Sequence, residues 1–383
     1  MFPHDRTPSN ASPLTSLSSQ EDDHSAYASF GSEATCISTR SRGFMNGVKK
    51  IMDSSMPLAQ LVDQAQELVK MLSSSDQLNR LPPGAPECNL MLDRVLAAML
   101  SSARACGGEG GMRYTASAIY ACCYEDNEMT LRYLQSLGTT WVSHLLFVLT
   151  GLRDKSHPLF PTSQNQIKTN ASHILRRAIA VYDAHDPDSR TSRSALVTLD
   201  ILRHYASLPE KFVEEIGSII DDPSNGMTLQ YDAHVGFDDF RWSLRAVEGA
   251  PNTYRIIYHV GGIGHGLFLP HKEEITFVDS SPKFSQSSSP HKGQGSTRSG
   301  NADDEVQNVD QGIPLPDPLF FRIHDALARV LQMSGAAEAI DLVLRRLDIR
   351  KPGAILIGAD FEDMWTHEML RENIVSMLQM KVH

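Results

Sequence analysis

The sequence predicts an α+β protein in which a mainly helical frame surrounds a small antiparallel sheet. Two observations carry this prediction. Long stretches place apolar residues three and four positions apart, which is typical of amphipathic helices, whereas residues 241–247 and 253–260 read as alternating strands. With 41% hydrophobic residues, the 383-residue chain can bury a sizeable core and has the length of two or three domains.

Two stretches of the chain predict disorder. Residues 1–43 are rich in Ser, Thr, Pro and Asp and offer too little apolar surface to offset their ordering entropy. Residues 283–313 form a linker rich in Ser, Gln, Gly and charged side chains. We therefore expect three folded regions: a helical region over 44–145, a mixed region over 146–282, and a helical region over 314–383.

The helical pattern predicts individual helices as well. They cover residues 44–72, 89–105, 114–123, 129–146, 194–220, 319–347 and 360–383. We expect the glycine-rich run over 107–111 to end the second of them. Methionine and leucine stripes at this spacing indicate core packing rather than a cofactor site.

Charge and cysteine content narrow the classes of function. The chain has 35 basic and 46 acidic residues, and its net charge of −11 opposes a strong non-specific grip on nucleic acid. Its five cysteines lack the spacing of a zinc ribbon, which predicts free thiols in a reducing compartment. No apolar signal core and no run of about 18 apolar residues is present, so we expect an intracellular protein, nuclear or cytoplasmic, without a membrane span.

Two histidines flank an Asn-Gly turn in the mixed region. His173 lies in the stretch Thr-Asn-Ala-Ser-His-Ile, Asn225 precedes a glycine, and His234 follows nine positions after Asn225. Each residue alone is uninformative, since a single histidine is more often an ordinary core or surface residue and Asn-Gly is typical of a turn. The order of the three residues is what points to a function.

This order resembles the HNH, or ββα-metal, nuclease domain of fungal hypothetical proteins. The pattern there reads T-G, then A-A-H-I, then D-x-x-N-G-x-x-L-x-x-D-x-H-x-x-F. It is matched here by residues 150–151, 171–174 and 222–237. Segments 240–244, 252–256 and 315–318 look like the same family, so we expect an HNH finger embedded in the helical frame.

The resemblance implies a metal-dependent endonuclease that hydrolyses phosphodiester bonds of nucleic acid, with DNA favoured over RNA. It implies that His173 is the catalytic general base and that Asn225 braces the loop that orients it. It further implies that His234 is a metal ligand, with an oxygen ligand from Asp232 or Asp238. The cofactor would be a divalent ion: magnesium, manganese or zinc.

The sequence also departs from the family pattern. Ser172 occupies the position where many HNH enzymes carry Asp or His as a second metal ligand, and Phe147 stands where related domains often have cysteine. A long insertion separates His173 from Asn225. These departures favour the alternative of a catalytically degenerate HNH fold that acts as a binding or scaffolding module. In a third interpretation the motif is accidental and the chain is a helical interaction protein.

Overall fold

The computed structural model describes residues 42–81, 89–150, 169–180, 189–259, 273–279 and 313–346. The predicted tail over 1–43, the linker over 283–313 and the helix over 360–383 lie almost entirely outside the described residues.

Helices make up most of the described chain. They are α1 (Arg42–Met52), α2 (Leu58–Ser73), α3 (Leu92–Tyr120), α4 (Asn127–Trp141), α5 (Arg190–Ala206), α6 (Glu210–Ile219), α7 (Tyr231–Asp238), α8 (Pro318–Ser334) and α9 (Ala336–Arg346). Helix α4 continues through a π-helical segment, Val142–Phe147, into a last α-helical turn, Val148–Thr150.

The strands form two small antiparallel sheets. Strand β1 (Thr169–His173) pairs with β2 (Gly226–Gln230). Strands β3 (Trp242–Ala246), β4 (Thr253–Tyr258) and β5 (Glu274–Thr276) form the second sheet in that order. The predicted α+β class is therefore confirmed, with the predicted strands over 241–247 and 253–260 present as β3 and β4.

Three helices that the periodicity predicts as single are broken in two. Pro57, which cannot donate a backbone hydrogen bond, stands between α1 and α2. Ser207 ends α5 and Gly335 ends α8, each in the left-handed conformation, with φ of 52° and 75°. Hydrophobic periodicity continues across such breaks because the helices on both sides pack on the same core, so these boundaries of the prediction were wrong.

The glycine-rich run over 107–111 interrupts the helix as predicted, since Gly107 and Gly108 have non-helical backbone angles. Helix α3 continues to Tyr120 through a kink at Gly107 and Gly108. The end of α5 crosses α3 there, and the Tyr205 carbonyl oxygen would lie 2.2 Å from a Cβ placed at either Gly107 or Gly111. The glycines therefore permit a close helix crossing, which Ser207 Oγ secures by donating a 2.7 Å hydrogen bond to the Gly107 carbonyl.

Helix α3 lies at the centre of the helical frame. It packs against α2, α5 and α8, and its apolar side chains are fully buried, among them Leu92, Leu96 and Met99. Helix α8 also packs against β3, so it joins the frame to the second sheet. In the described part of the chain, no helix is long and apolar enough to span a membrane.

The crossing of α3 and α5 can be tested with Gly111→Ala. The added methyl group would meet the Tyr205 backbone oxygen, which cannot move without displacing α5, so we expect a loss of about 3 kcal/mol in the free energy of unfolding. Urea denaturation would measure it.

Gly217→Ala is the matched control. Gly217 lies in α6, and a Cβ added there would have no other atom within 4 Å, so alanine should raise the free energy of unfolding by about 0.5–1 kcal/mol through its higher helix propensity. Equal effects of the two substitutions would contradict the proposed crossing.

Candidate functional site

Strands β1 and β2 and helix α7 form a compact ββα unit. The two strands pair antiparallel, with His173 opposite Gly226, and α7 begins directly after β2. Helix α7 packs against both strands. The unit therefore places His173 at the end of one strand, Asn225 before the other, and His234 on the helix.

Asn225 is fully buried and ties together segments that are distant in sequence. Its Oδ1 accepts a 2.8 Å hydrogen bond from the Leu175 amide, and its Nδ2 donates to the Leu175 carbonyl at 2.9 Å. The same Nδ2 lies 2.9 Å from the Ile220 carbonyl. Because buried polar groups without partners are costly, this side chain holds the chain after β1 against the chain before β2.

His173 lies at the edge of the unit with 46% of its side chain exposed. Its Nε2 is 3.5 Å from Oδ1 of Asp221, and Oδ2 of Asp221 is 3.0 Å from Nη2 of Arg177. Sequence reasoning did not single out Asp221 or Arg177, because neither occupies a position of the family pattern. The imidazole is therefore open to solvent, and a carboxylate lies beside it.

His234 pairs with Asp238 one helical turn later on α7. Nε2 of His234 lies 3.2 Å from Oδ2 of Asp238, and Ser172 Oγ lies 3.5 Å from the other carboxylate oxygen. Burial raises the pKa of Asp238, but the hydrogen bond from His234 and the charge of Arg176 outweigh it, so this pKa lies below its ordinary value. Asp238 is therefore an ionised oxygen donor next to an imidazole.

Helix geometry separates Asp232 from this pair. Residues two apart on a helix do not face each other, whereas residues four apart do. Asp232 stands two positions before His234, and Asp238 stands four positions after it. The ligand role predicted for Asp232 remains untested, and the structure favours Asp238 as the carboxylate that accompanies His234.

The His234–Asp238 pair could supply two of the ligands of a divalent cation. Adjacent ligands lie about 3 Å apart around octahedral magnesium and about 3.3 Å apart around tetrahedral zinc, so the 3.2 Å separation found here is compatible with either ion. Among the described residues, no group of three or more His, Cys, Asp or Glu side chains could hold a metal ion together. Zinc sites use three or four protein ligands, whereas magnesium keeps several waters and binds few carboxylates.

Helix α8 supports α7 from outside the ββα unit. His324 is buried and stacks on the rings of Phe237 and Phe240, with centroid distances of 3.8 and 4.4 Å. Its Nε2 is 3.1 Å from the Phe237 carbonyl oxygen, and burial lowers the pKa of His324 to about 3. At the start of α8, the Asp317 amide donates a 2.8 Å hydrogen bond to the Ser224 carbonyl.

A second buried contact from α8 involves Asp325. Its Oδ1 accepts a 2.6 Å hydrogen bond from Ser243 Oγ, and its Oδ2 lies 3.1 Å from Arg245 Nε and 2.7 Å from Arg329 Nη2. His259 Nε2 is 2.8 Å from Ser243 Oγ. Although Ser, His and Asp meet here, the carboxylate already holds the serine hydroxyl and lies nearest the same ring nitrogen, so this is a structural cluster and not a nucleophile with its base.

A comparison with protein-family models identifies the unit. Residues 148–245, about a quarter of the chain, match a family model described as HNH endonuclease. The chain carries an HNH domain. No curated protein matches the sequence, and no solved structure matches the fold. The predicted resemblance to the HNH family is thus confirmed, and α8, which supports the HNH domain, lies outside the matched residues.

The support from α8 can be tested with His324→Phe, which keeps an aromatic ring between Phe237 and Phe240. In the folded wild type the buried His324 stays neutral, whereas in the unfolded chain the same histidine binds a proton below about pH 6.5. His324 therefore contributes stability above pH 6.5 that is lost as the pH falls toward about 3. Between pH 7 and pH 5 the variant should lose about 2 kcal/mol less stability than the wild type.

Urea denaturation at the two pH values would measure this difference. At pH 7 the variant should be less stable by about 1 kcal/mol, because the Phe237 carbonyl loses its donor. Parallel losses of stability in both proteins between pH 7 and pH 5 would show that His324 is not buried in its neutral form.

Proposed function

We propose that this chain is a metal-dependent endonuclease that hydrolyses phosphodiester bonds of nucleic acid through its HNH domain. The observation that supports the proposal most is the braced ββα unit. It carries an exposed histidine at the end of β1 and the His234–Asp238 pair on α7, and Ser172, which precedes that histidine on β1, contacts Asp238. The proposed general base and the proposed metal donors therefore belong to one small unit of the fold.

His173 is the proposed general base. A neutral imidazole can take a proton from water as the water attacks phosphorus, and half of the His173 side chain is open to solvent. Asn225 fixes the backbone just after His173, so the backbone that carries the imidazole ring is held in place. Preorganisation of this kind lowers the barrier, because little rearrangement is needed during the reaction.

His234 and Asp238 are the proposed metal ligands. A divalent cation bound there would stabilise the charge that develops on the scissile phosphate and on the leaving oxygen. Asp238 keeps its negative charge in the folded protein, and Arg176 Nη2 anchors the end of α7 through a 2.6 Å hydrogen bond to the Asp238 carbonyl. Ser172 contacts the same carboxylate and so contributes to its orientation.

A degenerate HNH fold that serves as a binding or scaffolding module is the second candidate function. Ser172 occupies the position at which many HNH enzymes carry a metal ligand, and the described residues hold no cluster of three ionisable donors. Such a module would retain the ββα unit without hydrolysis.

Plasmid cleavage by the purified protein decides between the two functions. We expect nicking with magnesium or manganese, and a loss of at least about a hundredfold in both His173→Ala and His234→Ala, because the first removes the base and the second a metal donor. Nicking that persists in both variants would reveal a contaminating nuclease. A folded protein that cleaves nothing with any metal would favour the binding module.

The pair Asp238→Asn and Asp232→Asn identifies the carboxylate ligand. Both substitutions remove one charge from the same helix, but only Asp238 faces His234. We expect the metal concentration for half-maximal nicking to rise in Asp238→Asn and to change little in Asp232→Asn. The reverse result would return the ligand role to Asp232.

A further inference from the structure

We propose that Asp221 is a positioning residue for His173, and that it leaves Nδ1 of His173 as the atom that takes the proton from water. This inference rests on the proposed role of His173 as general base. It assigns a function to a carboxylate that lies outside the family pattern, one position before its first aspartate.

The carboxylate of Asp221 lies between two side chains. One oxygen, Oδ1, lies 3.5 Å from Nε2 of His173, and the other, Oδ2, lies 3.0 Å from Nη2 of Arg177. Arg177 follows His173 by four residues, in the short 3₁₀ helix Arg177–Ala180. A guanidinium on one oxygen therefore directs the other oxygen toward the imidazole.

Asn225 fixes the backbone on both sides of this contact. Its Nδ2 donates to the carbonyl of Ile220, the residue directly before Asp221, and to the carbonyl of Leu175, two residues after His173. The backbone amide of Ile174, the residue after His173, donates a 2.8 Å hydrogen bond to the Asn225 carbonyl. One buried side chain thus sets the separation of the two segments that carry Asp221 and His173.

The position of the carboxylate selects between the two ring nitrogens. A neutral imidazole carries one N–H, and a carboxylate accepts hydrogen bonds but cannot donate them. The N–H therefore belongs on Nε2, which faces Asp221, and the lone pair that can accept a proton lies on Nδ1. Contacts of this kind are often long in a protein without substrate and shorten when the substrate binds, in keeping with the 3.5 Å separation.

Asp221 contributes little to the folding stability of the protein. Its side chain is 45% exposed, and those of His173 and Arg177 are 46% and 68% exposed, so water screens both charge pairs. Its removal should therefore change the reaction without unfolding the protein, which separates a positioning role from a structural one.

The experiment compares Asp221→Ala with Glu215→Ala, which removes one exposed carboxylate from neighbouring helix α6. Asp221→Ala should lower kcat of metal-dependent nicking by roughly tenfold with little change in KM, because the base is misoriented and not lost. Added to His173→Ala, it should cause no further loss, since it acts only through that ring. Glu215→Ala should leave kcat unchanged, and the melting temperatures of both variants should stay within about 2 °C of the wild type. The inference would be overturned if Asp221→Ala lowered kcat by the same factor in the wild type and in the His173→Ala variant.

A measurement without substrate separates this inference from the nuclease function. The ring nitrogens of His173 can be observed by ¹⁵N NMR at a pH at which the imidazole is neutral. Asp221→Ala should increase the ratio of the Nδ1–H to the Nε2–H tautomer by roughly two- to tenfold, because the acceptor oxygen that faces Nε2 is lost. An unchanged spectrum would overturn the inference even if the wild type cleaves DNA. A changed spectrum in a protein that cleaves nothing would support the Asp221–His173 contact and overturn the proposed function instead.

Discussion

The candidate site depends on the buried amide of Asn225. Its hydrogen bonds join the chain after β1 to the chain before β2, and these two segments are about fifty residues apart in sequence. The intervening residues include α5 and α6, whose apolar faces pack into the helical frame. Because both ends of this insertion are fixed at one side chain, the ββα unit can contain the insertion without losing the pairing of β1 and β2. An Asn-Gly sequence alone indicates only a turn, but here the hydrogen bonds of the asparagine amide give it a structural role in the candidate site.

The HNH domain is not supported by its own residues alone. Helix α8 supplies His324, which stacks on α7, and Asp325, which holds Ser243 on β3. Burial raises the pKa of Asp325, but its hydrogen bonds from Arg245 and Ser243 outweigh that effect, so the pKa lies below its ordinary value and the carboxylate stays charged. The same helix packs on α3 in the centre of the helical frame. The orientation of α7, and with it the His234–Asp238 pair, therefore depends on a segment more than seventy residues beyond the matched family region.

Patterns within short stretches of the sequence predicted the elements whose formation depends mainly on neighbouring residues. Alternation predicted β3 and β4, whereas the ββα unit was implied by the resemblance of the His173, Asn225 and His234 order to the HNH family. Periodicity could not show that the glycines over 107–111 serve a close crossing, because the contact with Tyr205 joins residues about a hundred positions apart. For the same reason the sequence did not single out Asp221, Arg177 or His324, whose partners are defined only by the tertiary structure. Asp238 was weighed as a ligand, and the spacing of four on a helix would have favoured it over Asp232 had α7 been predicted to extend that far.

Manganese binding followed by NMR tests most directly whether the ββα unit is a metal site. Bound Mn²⁺ broadens resonances of nearby nuclei, so the histidine rings of the protein report where the ion lies. We expect the strongest broadening at His234, clear broadening at His173, and none at His144, which is buried against α5 in the helical frame. Broadening that is absent from His234, or that spares His173 while affecting His234, would contradict a single site built from a base and a metal pair.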